Sequence, residues 1–122
     1  MRFAQWVYRL AGIYGLLVLL PQYFIFDQFG IDYPPAITHP EFYYGFVGVG
    51  LAWQVAFLII GQDPIRYRPL MIATWLEKFT FLGAALVLFA QQRIPGVIMG
   101  AASLDGLLGI LFVLAWWKTP RE

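Results

Sequence analysis

Four long apolar stretches, separated by short turns that hold proline, glycine and charge, constrain the fold of this chain more than any other feature. Each is about 20 residues long, which as an α-helix is enough to cross the hydrocarbon core of a bilayer. Lipid cannot satisfy backbone hydrogen bonds, so such stretches must bond internally as helices. The sequence therefore predicts an all-α fold, a single bundle of four transmembrane helices over residues 3–26, 41–61, 70–91 and 96–117.

The composition favours a membrane protein and excludes several functions. Hydrophobic residues make up 61% of the 122 residues and charged residues only 12%, which is too apolar for an ordinary soluble domain. The net charge of +1 comes from scattered side chains with no basic tract, so we expect no nucleic-acid partner. The chain has no cysteine, which excludes disulfides and thiolate metal sites. We predict that the chain lies in a lipid bilayer and uses no cofactor.

The first apolar stretch begins like a signal peptide, with Arg2 and Arg9 ahead of the hydrophobic run. No small-residue cleavage site follows and further spans do, so we interpret it as a retained first helix. Pro21 predicts a kink in this helix. Gln22 is close enough in sequence to hydrogen-bond a carbonyl that the proline leaves free.

Residues 27–40 contain glycine, three prolines and two acids, and are predicted to form a loop. Thr38, with Glu41 three residues later, predicts a capping box at the start of the second helix. Asp27, Asp32, His39 and Glu41 are potential metal ligands, but their spacing matches no metal site and we expect none.

Basic residues are distributed unevenly between the two ends of the predicted bundle, and this asymmetry predicts its orientation. Only Arg93 falls at one end. The other end carries Arg2, Arg9, Arg66, Arg68, Lys118 and Arg121. Both termini are therefore expected in the cytoplasm. The turn that holds Asp63, Arg66 and Arg68 is interpreted as a capped turn with orienting charges, and a lipid-headgroup or partner site is the alternative.

Charged and polar residues inside the apolar stretches form the candidate site. A charge at membrane depth costs about 2.5 to 3.5 kcal/mol, so its presence there requires partners or a function. At 1.5 Å per residue, Gln54 and Glu77 lie about 10 Å from the cytoplasmic edge and Asp105 about 18 Å, a gap that a long side chain can bridge. The sequence therefore predicts a buried cluster of Gln54, Glu77, Lys78 and Asp105. We expect Lys78 to pair with Asp105 and to pair poorly with Glu77, because adjacent positions diverge around a helix.

Helical phase divides the third predicted helix into a small or polar face and a bulky apolar face. The first is expected to face protein, with Lys78 at its edge, and comprises Ala73, Thr74, Glu77, Thr80, Phe81 and Ala84. The second is expected to face lipid and comprises Trp75, Phe79, Leu82 and Leu86. Across the whole chain, the aromatic side chains are expected mostly at the membrane interfaces and against lipid.

The fourth predicted helix has two faces that favour protein contact. Gly96, Gly100 and Ser103 follow small-residue spacing on one face, whereas Asp105 lies nearly opposite. One helix in a four-helix monomer covers a single broad side. The second face therefore predicts contact with another copy of the chain or with a larger membrane complex.

Several segments resemble a group of small bacterial four-helix membrane proteins to which no activity is assigned. The resemblance is carried by residues 39–46 (HPEFYYGF), 53–54 (WQ), 63–71 (DPIRYRPLM), 76–78 (LEK) and Asp105. It implies a multi-pass protein of the bacterial cytoplasmic (inner) membrane. The layout alone is also similar to that of DoxX-like proteins, a group of mixed function, and no residue roles carry over from them.

Two functions of different class remain open. In the preferred hypothesis, a non-enzymatic module binds or carries a small apolar or amphipathic ligand, for example a lipid or a quinone-like molecule. Glu77 and Asp105 would form the polar end of its site, and Gln54 and Lys78 would orient the ligand. In the alternative, the chain is an accessory or assembly subunit and the cluster is a structural ion pair that fixes helix register. An enzyme that uses the paired acids for general acid and base work on a lipidic substrate ranks third, because nothing in the sequence indicates a substrate. Hydrolase chemistry is not expected, since no nucleophile accompanies His39.

Overall fold

The computed structural model describes residues 2–121, and within that range it contains helices and turns but no strand, which confirms the predicted all-α class. The α-helices are α1 (Arg2–Leu19), α2 (Phe26–Asp32), α3 (Pro40–Gln62), α4 (Met71–Ala90) and α5 (Gly96–Lys118). Short 3-10 turns cover Leu20–Phe24 and Arg68–Leu70.

Four helical segments of the described range are each 23 residues long and apolar enough to cross a membrane by length and composition. They are Arg2–Phe24, Pro40–Gln62, Arg68–Ala90 and Gly96–Lys118. The two chain ends meet at one end of the bundle, where the Lys118 ammonium lies 4.6 Å from the centre of the Phe3 ring. The half of the bundle near this contact is called the terminal half, and the half near α2 is called the loop half.

The chain between the first two spans differs from the sequence prediction. The expected loop over residues 27–40 contains the short helix α2. The predicted capping box is wrong, because the residue before α3 is His39 and no side chain caps the helix. Pro40 occupies the first helical position, so Glu41 comes one residue too early for a capping box. Its Oε1 instead lies 3.0 Å from His39 Nδ1.

The predicted kink at Pro21 takes the form of a change in helix type. α1 ends at Leu19, and a 3-10 turn carries the chain past the proline. The Gln22 amide donates a 3.3 Å hydrogen bond to the carbonyl of Val18. This carbonyl is one residue beyond the Leu17 carbonyl, whose usual donor the proline removes.

The helices associate in two close pairs, α1 with α3 and α4 with α5, and α1 also packs on α5, whereas α3 and α4 touch only sparsely. Small residues allow both close pairs to form. On the α1–α3 side, a Cβ at Gly12 would lie 2.8 Å from Leu58 Cγ. On the α4–α5 side, a Cβ at Gly106 would lie 2.5 Å from Leu82 and one at Gly109 would lie 2.7 Å from Phe79.

The α4–α5 contact corrects the predicted faces of the third span. Phe79 and Leu82 were expected to face lipid, but they pack on the glycines of α5. Trp75 likewise packs edge-on against Trp116, with ring centres 5.2 Å apart. Ala84, which was expected to face protein, is exposed. A bulky face can meet protein when the partner helix presents glycine, so size alone does not identify a lipid-facing surface.

The core of the bundle lies in the terminal half and is built from aromatic and small side chains. The Tyr8 ring stacks on Phe112 with centres 4.4 Å apart, and Phe57 packs 4.9 Å from Phe112. The Tyr8 hydroxyl hydrogen-bonds Thr74 Oγ1 at 2.7 Å, which links α1 to α4. The core comprises Ala4, Tyr8, Ala11, Phe57, Ile60, Met71, Phe112 and Ala115.

The turn between α3 and α4 is tied to the end of α5. Arg68 Nε donates to the carbonyls of Trp116 (3.1 Å) and Thr119 (2.9 Å), and the guanidinium lies 4.3 Å from the centre of the Trp116 ring. Asp63 Oδ1 accepts a 3.3 Å hydrogen bond from the Arg66 N–H, as expected for a capped turn. Arg68 thus satisfies carbonyls at the C-terminus of α5 that would otherwise lack donors.

Candidate functional site

A cavity of about 970 Å³ lies between the four long helices in the loop half. It exists because α3 and α4 barely touch, and because Gly45 of α3 and Ala101 of α5 line it without a bulky side chain. Residues of α2 reach it only through Phe29. The walls are mostly apolar, and the charged residues of the candidate site form the floor.

All four residues of the predicted cluster line this cavity. Lys78 Nζ lies 3.4 Å from Asp105 Oδ1, so the predicted contact between α4 and α5 is present. The same ammonium lies 3.6 Å from Glu77 Oε2, so these neighbours form an ion pair but no hydrogen bond, as expected for a poorer pair than Lys78 and Asp105. The long Lys78 side chain turns between the two acids although the Cβ positions diverge. The Glu77 contact is an ion pair at a distance too long for a hydrogen bond.

The acids and the lysine of the cluster differ in how far they are exposed. The Lys78 side chain is 6% exposed, whereas Glu77 and Asp105 are each 26% exposed. The ammonium lies on the aromatic core, 5.3 Å from the centre of the Phe57 ring. Lys78 therefore lies beneath the two carboxylates at the centre of the bundle, and not at the edge of the inner face as the helical phase suggested.

Gln54 is wedged between α3 and α1. The residue is only 2% exposed, and its Nε2 donates a 2.9 Å hydrogen bond to the Gly50 carbonyl. Its Oε1 is buried and has no hydrogen-bond partner among residues 2–121. The side chain fits because position 15 is glycine, since a Cβ at Gly15 would overlap the Gln54 carboxamide.

Aromatic side chains form much of the cavity wall. Phe46 of α3 and Phe81 of α4 approach each other across the sparse α3–α4 contact, with ring centres 6.3 Å apart. The aromatic residues of the wall are Tyr14, Phe29, Phe42, Phe46, Trp53 and Phe81. The charged residues of the floor therefore have aromatic rings on both sides, those of the cavity wall and the core ring of Phe57.

The predicted packing face of the fourth span is open in the monomer. A Cβ at Gly96 or Gly100 would meet no other atom within 4 Å. Ser103 is exposed and donates a 2.9 Å hydrogen bond to the Met99 carbonyl of its own helix. The partner that this face was expected to contact stays a prediction.

Two residues of the site region were missed by sequence reasoning, and both lie on α1. Tyr8 is fully buried and binds Thr74, and Gly15 makes room for Gln54. Ala4, Tyr8, Ala11 and Gly15 recur at helical spacing along the first span. This stripe of small residues around one hydroxyl-bearing ring was the available signal that α1 presents a packing face.

Comparison of the chain with protein-family models, with curated proteins and with solved structures finds no match. The resemblance to small bacterial four-helix membrane proteins therefore stays a prediction. Any functional conclusion has to come from the cavity and its charged floor.

Proposed function

We propose that this protein is a multi-pass protein of the bacterial cytoplasmic membrane that binds or carries a small apolar or amphipathic ligand, such as a lipid or a quinone-like molecule, without catalysis. One observation carries the proposal: a cavity of about 970 Å³ with mostly apolar walls ends on buried charged residues. Ligand sites are commonly apolar cavities of about 300–1,000 Å³ with a few convergent polar groups.

The position of the charges supports a ligand site over a purely structural ion pair. Ionisable side chains at membrane depth usually face a bundle interior or a cavity and mark ligand or ion pathways. A buried ion pair is by itself only weak evidence of a stabilising role. Here Glu77 and Asp105 retain exposed surface, and both line the cavity.

The test is to fill the cavity without disturbing the packed helices. Gly45 lines the cavity and a Cβ there meets nothing within 4 Å, so Gly45→Trp should place an indole in the cavity. Gly83 is exposed on α4 and equally open, which makes Gly83→Trp the matched control. The proteins would be purified in mild detergent, and the lipids that co-purify would be extracted and measured by mass spectrometry.

We expect Gly45→Trp to lose most of a stoichiometric bound molecule that the wild type and Gly83→Trp retain. Both variants should remain monodisperse, because neither glycine is at a helix contact. Equal retention by all three proteins would contradict a ligand site in this cavity.

The proposed orientation places both termini in the cytoplasm, following the distribution of arginine and lysine. The chain has no cysteine, so single substitutions can be labelled specifically. Ile31→Cys on α2 should react with a membrane-impermeant maleimide in intact bacterial cells. Gln62→Cys, an exposed position at the end of α3, should react only after permeabilisation. The reverse pattern would overturn the orientation.

The open face of α5 favours a second candidate function, an accessory subunit of a larger membrane complex or of a homo-oligomer. Gly96 and Gly100 are uncovered, as expected of a helix face that packs on another protein. In this case Gly100→Trp should release a stoichiometric partner during purification, while Gly45→Trp should retain it. Purification of a free monomer from native membranes would exclude this candidate.

A further inference from the structure

We propose that the ligand of the loop-half cavity is a lipophilic cation, an apolar or aromatic molecule with one protonated amine, quaternary amine or similar cationic centre, which binds against Glu77 and Asp105. This inference rests on the proposed function, because it assigns a chemical class to the ligand of the same cavity. It is carried by the balance of charge, by the unpartnered acceptors and by the aromatic walls.

The charge of the cavity floor is unbalanced. Two carboxylates share one ammonium, so the group carries one net negative charge when all three are ionised. Lys78 is the single lysine or arginine among the described residues that line the cavity. An isolated excess charge is costly inside a membrane, and a bound cation would neutralise it.

The carboxylates lie between Lys78 and the cavity. The exposed fraction of each acid is 26%, against 6% for the lysine, whose ammonium is directed toward the core ring of Phe57. A ligand in the cavity therefore meets negative charge first. An anionic headgroup would be repelled by both acids, which expose more surface to the cavity than the ammonium does.

The unused hydrogen-bonding capacity of the site also consists of acceptors. Gln54, which is 2% exposed and lines the cavity, has an unpartnered Oε1, and Glu77 Oε2 is buried without a hydrogen bond. The Lys78 ammonium already faces both acids. Both oxygens are buried from the cavity as well, and Gln54 Oε1 lies against Gly15, so they do not bond a ligand directly. Uncompensated oxygens beneath the floor attract a cation and repel an anion.

The walls fit the rest of such a ligand. Aromatic faces attract cations and are the usual partners of quaternary amines. Phe46 and Phe81 line the cavity above the acids, and Trp53 lines it beside Gln54. The same attraction already operates below the acids, where Lys78 lies over Phe57. An apolar body would contact the aromatic walls while its charge reached the floor.

Binding of a cation should weaken as the pH is lowered, because protons compete for the same carboxylates. The titratable and charged groups that face the site are Glu77 and Lys78 from α4, Asp105 from α5, Tyr14 from α1 and Glu41 from α3. Glu41 lies at the mouth, where its side chain is 63% exposed and contacts His39. Its contribution to the binding of a cation at the floor should therefore be small.

The experiment compares two ions of the same shape and opposite charge. Tetraphenylphosphonium and tetraphenylborate would be titrated by equilibrium dialysis against the wild-type protein in nanodiscs of zwitterionic lipid, with empty nanodiscs as the background. We expect the phosphonium to bind at least about tenfold more tightly than the borate. Gly45→Trp should abolish this binding, and Gly83→Trp should not.

Variants of the acids test which groups supply the selectivity. Glu77→Gln, which leaves the Lys78–Asp105 pair balanced, should reduce phosphonium affinity at least about tenfold. Asp105→Asn is the second variant if Glu77→Gln is not monodisperse. Asp27→Asn, at an exposed acid of α2 that does not line the cavity, is the matched control and should change the affinity by less than about twofold.

The outcomes separate this inference from the proposed function. If the borate binds as tightly as the phosphonium and Gly45→Trp abolishes both, the cavity is a ligand site and the cationic class is wrong. The class is also wrong if Glu77→Gln and Asp105→Asn retain full phosphonium affinity, or if neither ion binds while Gly45→Trp still loses a co-purified lipid. If Gly45→Trp changes neither ion binding nor lipid retention, the proposed function itself fails.

Discussion

The two halves of the bundle use the same four helices in opposite ways. In the terminal half, Tyr8, Phe57 and Phe112 fill the space between the helices and pack on alanines. In the loop half, the helices separate around a cavity of about 970 Å³. Lipid is as apolar as the side chains, so helices in a membrane associate through close fit and polar contacts and not through burial from water. Close fit between side chains therefore holds the terminal half together, and the lack of it between α3 and α4 leaves the loop half open.

The charged cluster marks the boundary between the halves. Lys78 rests on the Phe57 ring of the core, and the two acids it contacts face the cavity. A residue of the cluster contacts both the packed core and the cavity, whereas residues elsewhere contact only one of them. Substitutions at the boundary, in the core and on the cavity wall should therefore differ in their effect on the free energy of unfolding.

The largest effect is expected for Lys78→Met. It removes the cation between Glu77 and Asp105 and leaves two buried acids without compensation, which should lower the free energy of unfolding by about 3 to 5 kcal/mol. The measurement is unfolding in mixed micelles with an increasing fraction of SDS. Lys118→Met, at an exposed position of the terminal end, is the control and should change little. Equal stability of the two variants would show that the cluster does not join the halves.

Phe112→Ala tests whether the terminal half carries the packing energy. Phe112 is fully buried against Tyr8 and Phe57, and its loss should cost about 3 kcal/mol, at the low end for Phe→Ala, because the membrane supplies no transfer from water. Phe46→Ala, on the cavity wall at 55% exposure, should cost less than about 1 kcal/mol in the same assay. Similar losses would contradict the division into a packed half and an open half.

Gly15→Ala tests whether α1 and α3 are still closely packed at the level of Gln54. The added methyl overlaps the Gln54 side chain and should destabilise the protein by about 1 to 3 kcal/mol. Gly45→Ala, farther into the loop half, meets no atom within 4 Å and should be tolerated. A tolerated Gly15→Ala would show that Gln54 is free to leave its position. Thermal unfolding of both variants in one detergent makes the comparison.

Tyr8→Phe should give the smallest effect. It removes the hydroxyl that hydrogen-bonds Thr74, while Thr74 keeps its 2.6 Å hydrogen bond to the Met71 carbonyl. The expected loss of unfolding free energy is about 0.5 to 1.5 kcal/mol. A double-mutant cycle with Thr74→Val measures the coupling energy of the pair. A coupling energy of zero would show that this hydrogen bond does not stabilise the core. Tyr44→Phe is the matched control, because Tyr44 is 37% exposed and its ring stacks on Phe26 in the loop half.

The candidate site was predictable only in part. Depth along the helices was enough to predict that Gln54, Glu77, Lys78 and Asp105 lie within reach of one long side chain, because the helical rise is nearly constant. The order within the cluster was not predictable. Lys78 lies beneath the acids because its long stem can reach the Phe57 ring, and that ring is supplied by another helix.

The fold class follows from the sequence alone, since apolar length and backbone hydrogen bonding act locally along the chain. The predicted bounds of all four spans also lie within two residues of the membrane-spanning segments. The sequence also determined which charges lie inside the spans. Which helix faces meet protein depends on tertiary packing. Leu82 and Phe79 of α4 pack against α5 because Gly106 and Gly109 have no side chains there. The cavity arises for the same reason: where no large side chain finds a small partner across α3 and α4, the helices stay apart and the acids retain a surface for a ligand.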